Sequence, residues 1–182
     1  MNVTMIEWPG KEDWMAVKKR ALVTIGLEPV TEPDFTWMMA ILAAKHSPIR
    51  RLHFAFEIEC PYWVSVHLCR HVHAQPYVQS QRNDRQDMYD RNEAPQDEPV
   101  KMIWDMNAEE LINIAEKRLC YLASPETRQV VNEMCALVVD RLPEFSYVLS
   151  AACDKNRECR EMISCGKRKS IHTGTKVKGK TY

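Results

Sequence analysis

The sequence predicts an α+β fold, mostly helical with a small antiparallel sheet. Several stretches carry apolar residues at three- and four-residue spacing, one stretch alternates strictly, and prolines mark the boundaries between them. The 182 residues suit one compact domain, or one domain with a tail. Hydrophobic residues at 45% and charged residues at 27% are ordinary for a globular chain. Basic and acidic residues balance at 25 each, so bulk charge does not mark a polyanion binder and a nucleic-acid partner is not expected. No apolar run approaches a membrane span, and Met1 to Gly10 holds Glu7 and no signal-like core, so a cytoplasmic protein without a membrane partner is expected. The seven cysteines are odd in number and scattered, which reads as reduced thiols rather than a disulfide framework.

Lys11 to Val23 reads as a helix with Trp14, Val17 and Ala21 on one face. Pro33 and Asp34 open a strongly apolar helix whose core candidates are Phe35, Met38, Met39, Ile41 and Leu42. It ends near His46-Ser47-Pro48, because the residue before a proline resists helical geometry. Arg51 to Glu59 alternates, with Leu52, Phe54, Phe56 and Ile58 on one face and His53, Glu57 and Glu59 on the other, as in a half-buried strand. Pro61 suits the first turn of a helix running through Trp63 to His73, followed by a polar loop. Asn107 to Ala123 has Leu111, Ile114, Ala115, Arg118 and Leu122 at helical spacing. Pro125 opens a helix through Arg141, and Pro143 a short apolar one to Ala152. There is no Gly-rich phosphate loop, no βαβ fingerprint and no internal repeat.

Two segments depart from the average. Arg82 to Pro99 is dense in charge, with prolines at 95 and 99, and reads as a solvated connection. The tail from Gly166 carries six Lys and Arg and no acid, which leaves the residues before it six negative. The expected division is a domain over 1–152 and a Cys-containing basic tail over 153–182, flexible and at most a weak anion-binding arm.

The segment RHVHAQPYVQSQR, from Arg70 to Arg82, places cations at a helix end, then a serine flanked by glutamines, then an arginine. Arginine suits phosphate through its planar fork, and Ser and Gln add short-range donors. Taken alone, Arg70 and His71 equally suit a helix C-terminus, where positive charge is favoured. The spacing of Arg70, His71, Ser80 and Arg82 resembles the signature of the flavin-dependent thymidylate synthases, whose usual form is Arg-His-Arg, seven residues, then Ser-x-Arg. Val72, Val78 and Asn83 stand where the family has a basic residue, an acid and a tyrosine. The approach HSPIRRLHFAFEIECPYWVSVHLCRH and the later MNAEELINIAEKRLCYLASPETR also resemble the family, with Asn107, Asn113 and Arg118 at its spacing. VKKRALVT resembles its first flavin-contacting stretch, with Thr24 in the usual Ser position. The likeness spans most of residues 15 to 150, although the helical insertion that usually follows the motif is reduced to the charged loop.

The resemblance implies an enzyme binding FAD, with NADPH and methylenetetrahydrofolate as co-substrates, that converts dUMP to dTMP without a nucleophilic cysteine. No cysteine lies within the motif's loop to contradict that. Arg118 and Ser80 are the implied catalytic residues, Arg118 facing the uracil carbonyls. His67, Arg70, Gln79, Ser80, Gln81, Arg82, Arg91 and Arg118 are the implied dUMP contacts; His67 stands where the family has glutamine. Thr24, Ser47, Arg70, His71, His73, Asn107 and Asn113 are the implied flavin contacts. Each also has a plainer reading: Asn107 as a helix N-cap, Asn113 and Arg118 as polar-face residues. The family also implies a homotetramer with active sites shared between subunits. Val72 and Val78 leave open a paralogue that modifies another pyrimidine nucleotide, or a catalytically silent nucleotide- and flavin-binding protein.

Two metal readings compete. His67 and His71 are four apart, as ligands on one helical face, but Leu68 stands where a hydrolytic zinc site needs glutamate. Cys153, Cys159 and Cys165 are evenly spaced before the basic tail, wider than the usual zinc pairs. With a metal there, a nucleic-acid-binding module becomes the third reading.

Overall fold

A computed structural model describes residues 1–85 and 89–172 and has the expected α+β architecture. The strands are β1 (Asn2–Glu7), β2 (His53–Pro61), β3 (Gln75–Val78) and β4 (Pro99–Asn107), in one antiparallel sheet ordered β1-β2-β4-β3. The helices are α1 (Lys11–Val23), α2 (Phe35–Ala43), α3 (Tyr62–Leu68), α4 (Ala108–Arg118), α5 (Pro125–Arg141) and α6 (Ala152–Asn156). No described helix is long and apolar enough to cross a membrane.

The alternation holds from Leu52, with Leu52, Phe54, Phe56 and Ile58 buried and His53, Glu57 and Glu59 exposed, although β2 begins at His53 because Ser47–Arg51 forms a 3-10 turn. β4 pairs with it along its whole length, from His53 opposite Asn107 to Pro61 opposite Pro99. Its inward residues Val100, Met102, Trp104 and Met106 join the same core. Helices α3, α4 and α5 pack on the sheet, and Phe145 closes the core with its ring 5.4 Å from Phe54 and 6.1 Å from Trp14.

Side-chain caps set the helix starts. Asp34 accepts from the Trp37 N–H at 2.8 Å, and Ser124 from the Thr127 N–H at 3.3 Å. At α4, Asn107 accepts from the Glu110 N–H at 3.0 Å; Glu109 and Glu110 lie in the first turn and Lys117 and Arg118 in the last, which suits the helix dipole.

Several elements differ from the sequence reading. α3 ends at Leu68, not His73, and its seven residues include two valines and two aromatics, poor helix formers. Ser65 bonds back to the Tyr62 carbonyl at 2.7 Å, and two successive turns then carry the chain to Ala74. The start of the expected polar loop is instead the edge strand β3, where Pro76 is tolerated because an edge strand has one unpaired side. The connection read over 82–99 gives way to β4 at Pro99. The helix expected after Pro143 is a single 3-10 turn, Pro143–Phe145, with Phe145, Val148 and Leu149 still buried. In α2, Ile41 and Leu42 are buried but Phe35 is exposed.

Residues 153–172 hold α6 and an irregular return in which the Cys159 N–H bonds the Lys169 carbonyl at 2.8 Å and the Ile171 N–H bonds the Cys159 carbonyl at 3.0 Å. The last part of the expected basic tail, 173–182, lies outside the described residues.

Candidate functional site

The motif residues fall into two clusters at opposite ends of β3. At one end, α4 leaves β4 through its cap Asn107 and brings Glu110, Asn113 and Arg118 against the turn holding His71. Arg118 Nε donates to His71 Nε2 at 2.8 Å, and Arg118 Nη2 donates to the His67 carbonyl at 3.2 Å. A guanidinium only donates, so His71 Nε2 must accept and the neutral ring carries its proton on Nδ1. That nitrogen lies 3.4 Å from Glu110 Oε1. Burial, then the Arg118 charge, lowers the His71 pKa to about 4. Burial also pushes the Glu110 carboxyl up, and burial followed by repulsion from Arg70 lowers Arg118 from its ordinary value.

The network continues along α4. Glu110 Oε2 accepts from Asn113 Nδ2 at 3.5 Å, and Asn113 Oδ1 accepts from Lys45 Nζ at 3.0 Å. Lys45 also pairs with Glu116 at 2.7 Å, and Glu116 with Lys155 at 2.5 Å. Burial alone raises the Glu116 carboxyl; the hydrogen bonds from Lys155 and Lys45 outweigh it and hold the pKa low. Lys45 has φ +47°, a left-handed conformation uncommon outside glycine, as it turns out of α2. Beside this chain is a polar cleft of about 360 Å³ lined by Arg50, His73, Asn107, Glu109, Glu110 and Asn113. Arg50 is paired with Glu109 across it, which lowers the Glu109 carboxyl.

At the far end of β3, Gln79 prolongs the ladder: its N–H bonds the Lys101 carbonyl at 2.8 Å and its Oε1 accepts from the Lys101 N–H at 3.1 Å. Ser80, Gln81 and Arg82 follow in a loop. Ser80 Oγ accepts from the Arg82 N–H at 3.3 Å, and the Arg82 fork engages Asp84 at 2.9 and 2.6 Å. Asn83 accepts from the Arg91 N–H at 3.2 Å, so Arg91 returns beside the motif loop. Gln75 faces Asp105 in the register and Gln79 bonds Lys101, so about 13 Å of strand separates the two clusters.

The structure thus brings His71, Asn113 and Arg118 together, with His73 and Asn107 at the adjoining cleft. Ser80, Arg82 and Arg91 gather elsewhere. Arg70 is exposed beside the first cluster. The Thr24 hydroxyl turns back to the Ala21 carbonyl at 2.7 Å, and exposed Ser47 opens a 3-10 turn, Ser47–Arg51. Because α3 stops early, His67 and His71 do not share a helical face: His67 packs edge-on to Trp63 at 5.5 Å, while His71 turns to Arg118. Cys153, Cys159 and Cys165 line a separate cavity, and among the described residues no three His, Cys, Asp or Glu side chains converge on one ion position.

Glu110, Lys45 and Arg50 escaped the sequence reading. Only Glu110 left a signal, as an acid four residues before Ile114 in the buried stripe of α4, where an acid is costly unless partnered. Lys45 and Arg50 reach the site from the α2–β2 connection, and nothing in their own neighbourhood announces it.

Residues 91–144, which contain β4, α4 and α5, match the family model described as thymidylate synthase complementing protein. No curated protein sequence matches the chain. Among solved structures the fold is similar to a UMP/dUMP methylase, PolB from Streptomyces cacaoi, bound with 5-Br dUMP; the TM-score is 0.67 at 14% identity, covering 81% of this chain and 93% of that one. The matched segment carries Asn107, Asn113 and Arg118, and both the fold and the segment agree with the resemblance seen in the sequence.

Proposed function

We propose that the protein methylates the pyrimidine of a uridine nucleotide, dUMP in the first instance, as a flavin-dependent thymidylate synthase. One observation carries the reading: His71 of the motif and Arg118 of the Asn segment, 47 positions apart, form one hydrogen-bonded pair. The fold's likeness to a UMP/dUMP methylase supports it.

In this reading Arg118 faces the uracil. His71 and the His67 carbonyl hold two of its five N–H groups and set the plane of the guanidinium, leaving the others for carbonyl oxygens on which negative charge develops. The guanidinium keeps its charge at any working pH. Ser80, Gln81 and Arg82 take the nucleotide phosphate and sugar, with Gln79 and Arg91 beside them; Arg82 exchanges Asp84 for phosphate as the nucleotide binds.

FAD, with NADPH and methylenetetrahydrofolate as co-substrates, completes the proposal; reduced flavin supplies the hydride. The cleft beside α4 fits part of such a group. His73, Asn107 and Asn113 offer hydrogen bonds, while Glu109 and Glu110 offset the charge of Arg50. That balance suits a neutral, hydrogen-bonding edge better than a pyrophosphate. The cleft is too small for a whole dinucleotide, and the separation of the clusters along β3 leaves the nucleotide loop distant from Arg118 within one chain. A symmetric assembly, a homotetramer, brings the Ser80 loop of one subunit to the His71 end of another.

Titration of the purified protein with FAD, followed by visible absorbance and flavin fluorescence, tests the reading. Saturable micromolar binding that dUMP perturbs is the expected result. No FAD binding, together with a sedimenting monomer, removes it. A yellow protein indifferent to dUMP but responsive to another pyrimidine nucleotide favours the paralogue reading, for which the substitutions Val72 and Val78 speak.

A further inference from the structure

Four of the seven cysteines, Cys120, Cys153, Cys159 and Cys165, line one cavity of about 230 Å³ between the C-terminal end of α4 and the irregular segment that follows α6. Cys120 comes just after α4, and the other three recur every six residues through α6 and the return. From Arg157 to His172 the chain has no helix or strand longer than an isolated bridge. Its apolar residues turn outward: Met162 is 84% exposed and Ile163 51%, while Cys159 is the buried side chain. So short an irregular segment cannot be held by apolar burial, and chains of this kind are ordinarily stapled by a metal or by disulfides.

We propose that Cys120, Cys153, Cys159 and Cys165 bind one zinc ion that fastens this segment to α4. In this structure the thiols ring the cavity without meeting at one point. The bends between Glu158 and Arg168 supply the adjustment that closes a tetrahedron, and binding releases the thiol protons to solvent without any change of oxidation state.

The chemistry of the wall favours a metal over a redox or nucleophilic thiol. Reactive cysteines need a neighbouring cation to hold the thiolate. The cations around this cavity are engaged by acids: Arg160 with Glu158 at 2.9 Å, Lys117 with Glu161 at 2.8 Å and Arg168 with Asp154 at 3.2 Å. A dication supplies the missing charge.

The full chain, purified under reducing conditions without chelator, should contain about one zinc per chain. Its cobalt-substituted form should show thiolate-to-cobalt charge transfer and the visible bands of a tetrahedral site. Cys153→Ser and Cys165→Ser should lose most of the zinc, whereas Cys69→Ser, outside the cavity, should keep it. Metal at trace level with all four thiols open to a thiol reagent overturns the proposal, as do disulfides among the four by mass spectrometry. Zinc retained unchanged in both variants also overturns it. Should the variants fail to fold, the cobalt spectrum of the unaltered chain decides. Metal content is independent of flavin binding, so failure here leaves the proposed enzyme reading standing.

Discussion

Arg118 donates through Nε to His71 Nε2 at 2.8 Å, which locks a motif histidine to the last turn of α4 and leaves the imidazole neutral with its proton toward Glu110. The pair joins two parts of the sequence that carry separate halves of the family likeness. It also lies on a chain of polar contacts running through Asn113 and Lys45 to Glu116 and Lys155.

His71 therefore couples folding to pH. Its folded pKa of about 4 lies below the ordinary 6.5, so between those values the unfolded chain binds a proton that the folded chain excludes. The contribution is complete above pH 6.5 and is lost as pH falls through the folded value. The raised carboxyl of Glu110 acts in the opposite sense, taking up a proton in the folded state first. Urea midpoints should fall from pH 7 to pH 4.5, and His71→Gln, which keeps an acceptor for Arg118, should flatten the slope. An unchanged slope in that variant removes His71 from the account.

Arg118→Ala should abolish nucleotide-dependent oxidation of reduced flavin, a loss of about a hundredfold or more, by the magnitude seen when one oxyanion donor is removed. FAD should remain bound. Arg118→Lys should retain only a fraction, because the charge stays but the fork is lost. Turnover at the unaltered rate in Arg118→Ala contradicts the uracil-facing assignment.

Ser80→Ala should raise the dUMP dissociation constant more than it lowers the rate at saturation, because its expected partner is the substrate's polar periphery rather than the ring. Isothermal titration beside single-turnover rates separates the two. A rate loss at saturation equal to that of Arg118→Ala places Ser80 in the chemistry instead.

Asn107 has two readings that substitution separates. As the N-cap of α4 its loss to Ala should cost about 1 kcal/mol, and Asn107→Ser should restore most of that. Denaturant unfolding gives the stability and FAD titration the affinity. Full stability with weakened FAD binding in Asn107→Ser assigns the amide to the flavin as well. Restored affinity leaves it a cap.

The strand, expected over Arg51–Glu59 and found at His53–Pro61, and the helices from Lys11, Asp34, Asn107 and Pro125 were legible because each buries one regular face. β4 was legible in principle, with Val100, Met102, Trp104 and Met106 at alternate positions, but the charged run before it and the helix after it drew the boundary across it. β3 was not legible: four residues with a proline make a strand only because β4 offers an edge. His71 and Arg118 were named from spacing, yet their contact was not foreseeable, since it depends on α3 ending early and turning the imidazole toward α4. Lys45 became part of the site only through folding, as an exposed-looking residue between a helix end and a proline turn.

The most direct measurement is an anaerobic single turnover of the FAD-loaded, chemically reduced protein with dUMP and methylenetetrahydrofolate, the nucleotide being recovered and weighed by mass spectrometry. The account predicts dTMP formed in step with flavin reoxidation. Reduced flavin that binds and persists while dUMP is recovered unaltered contradicts it.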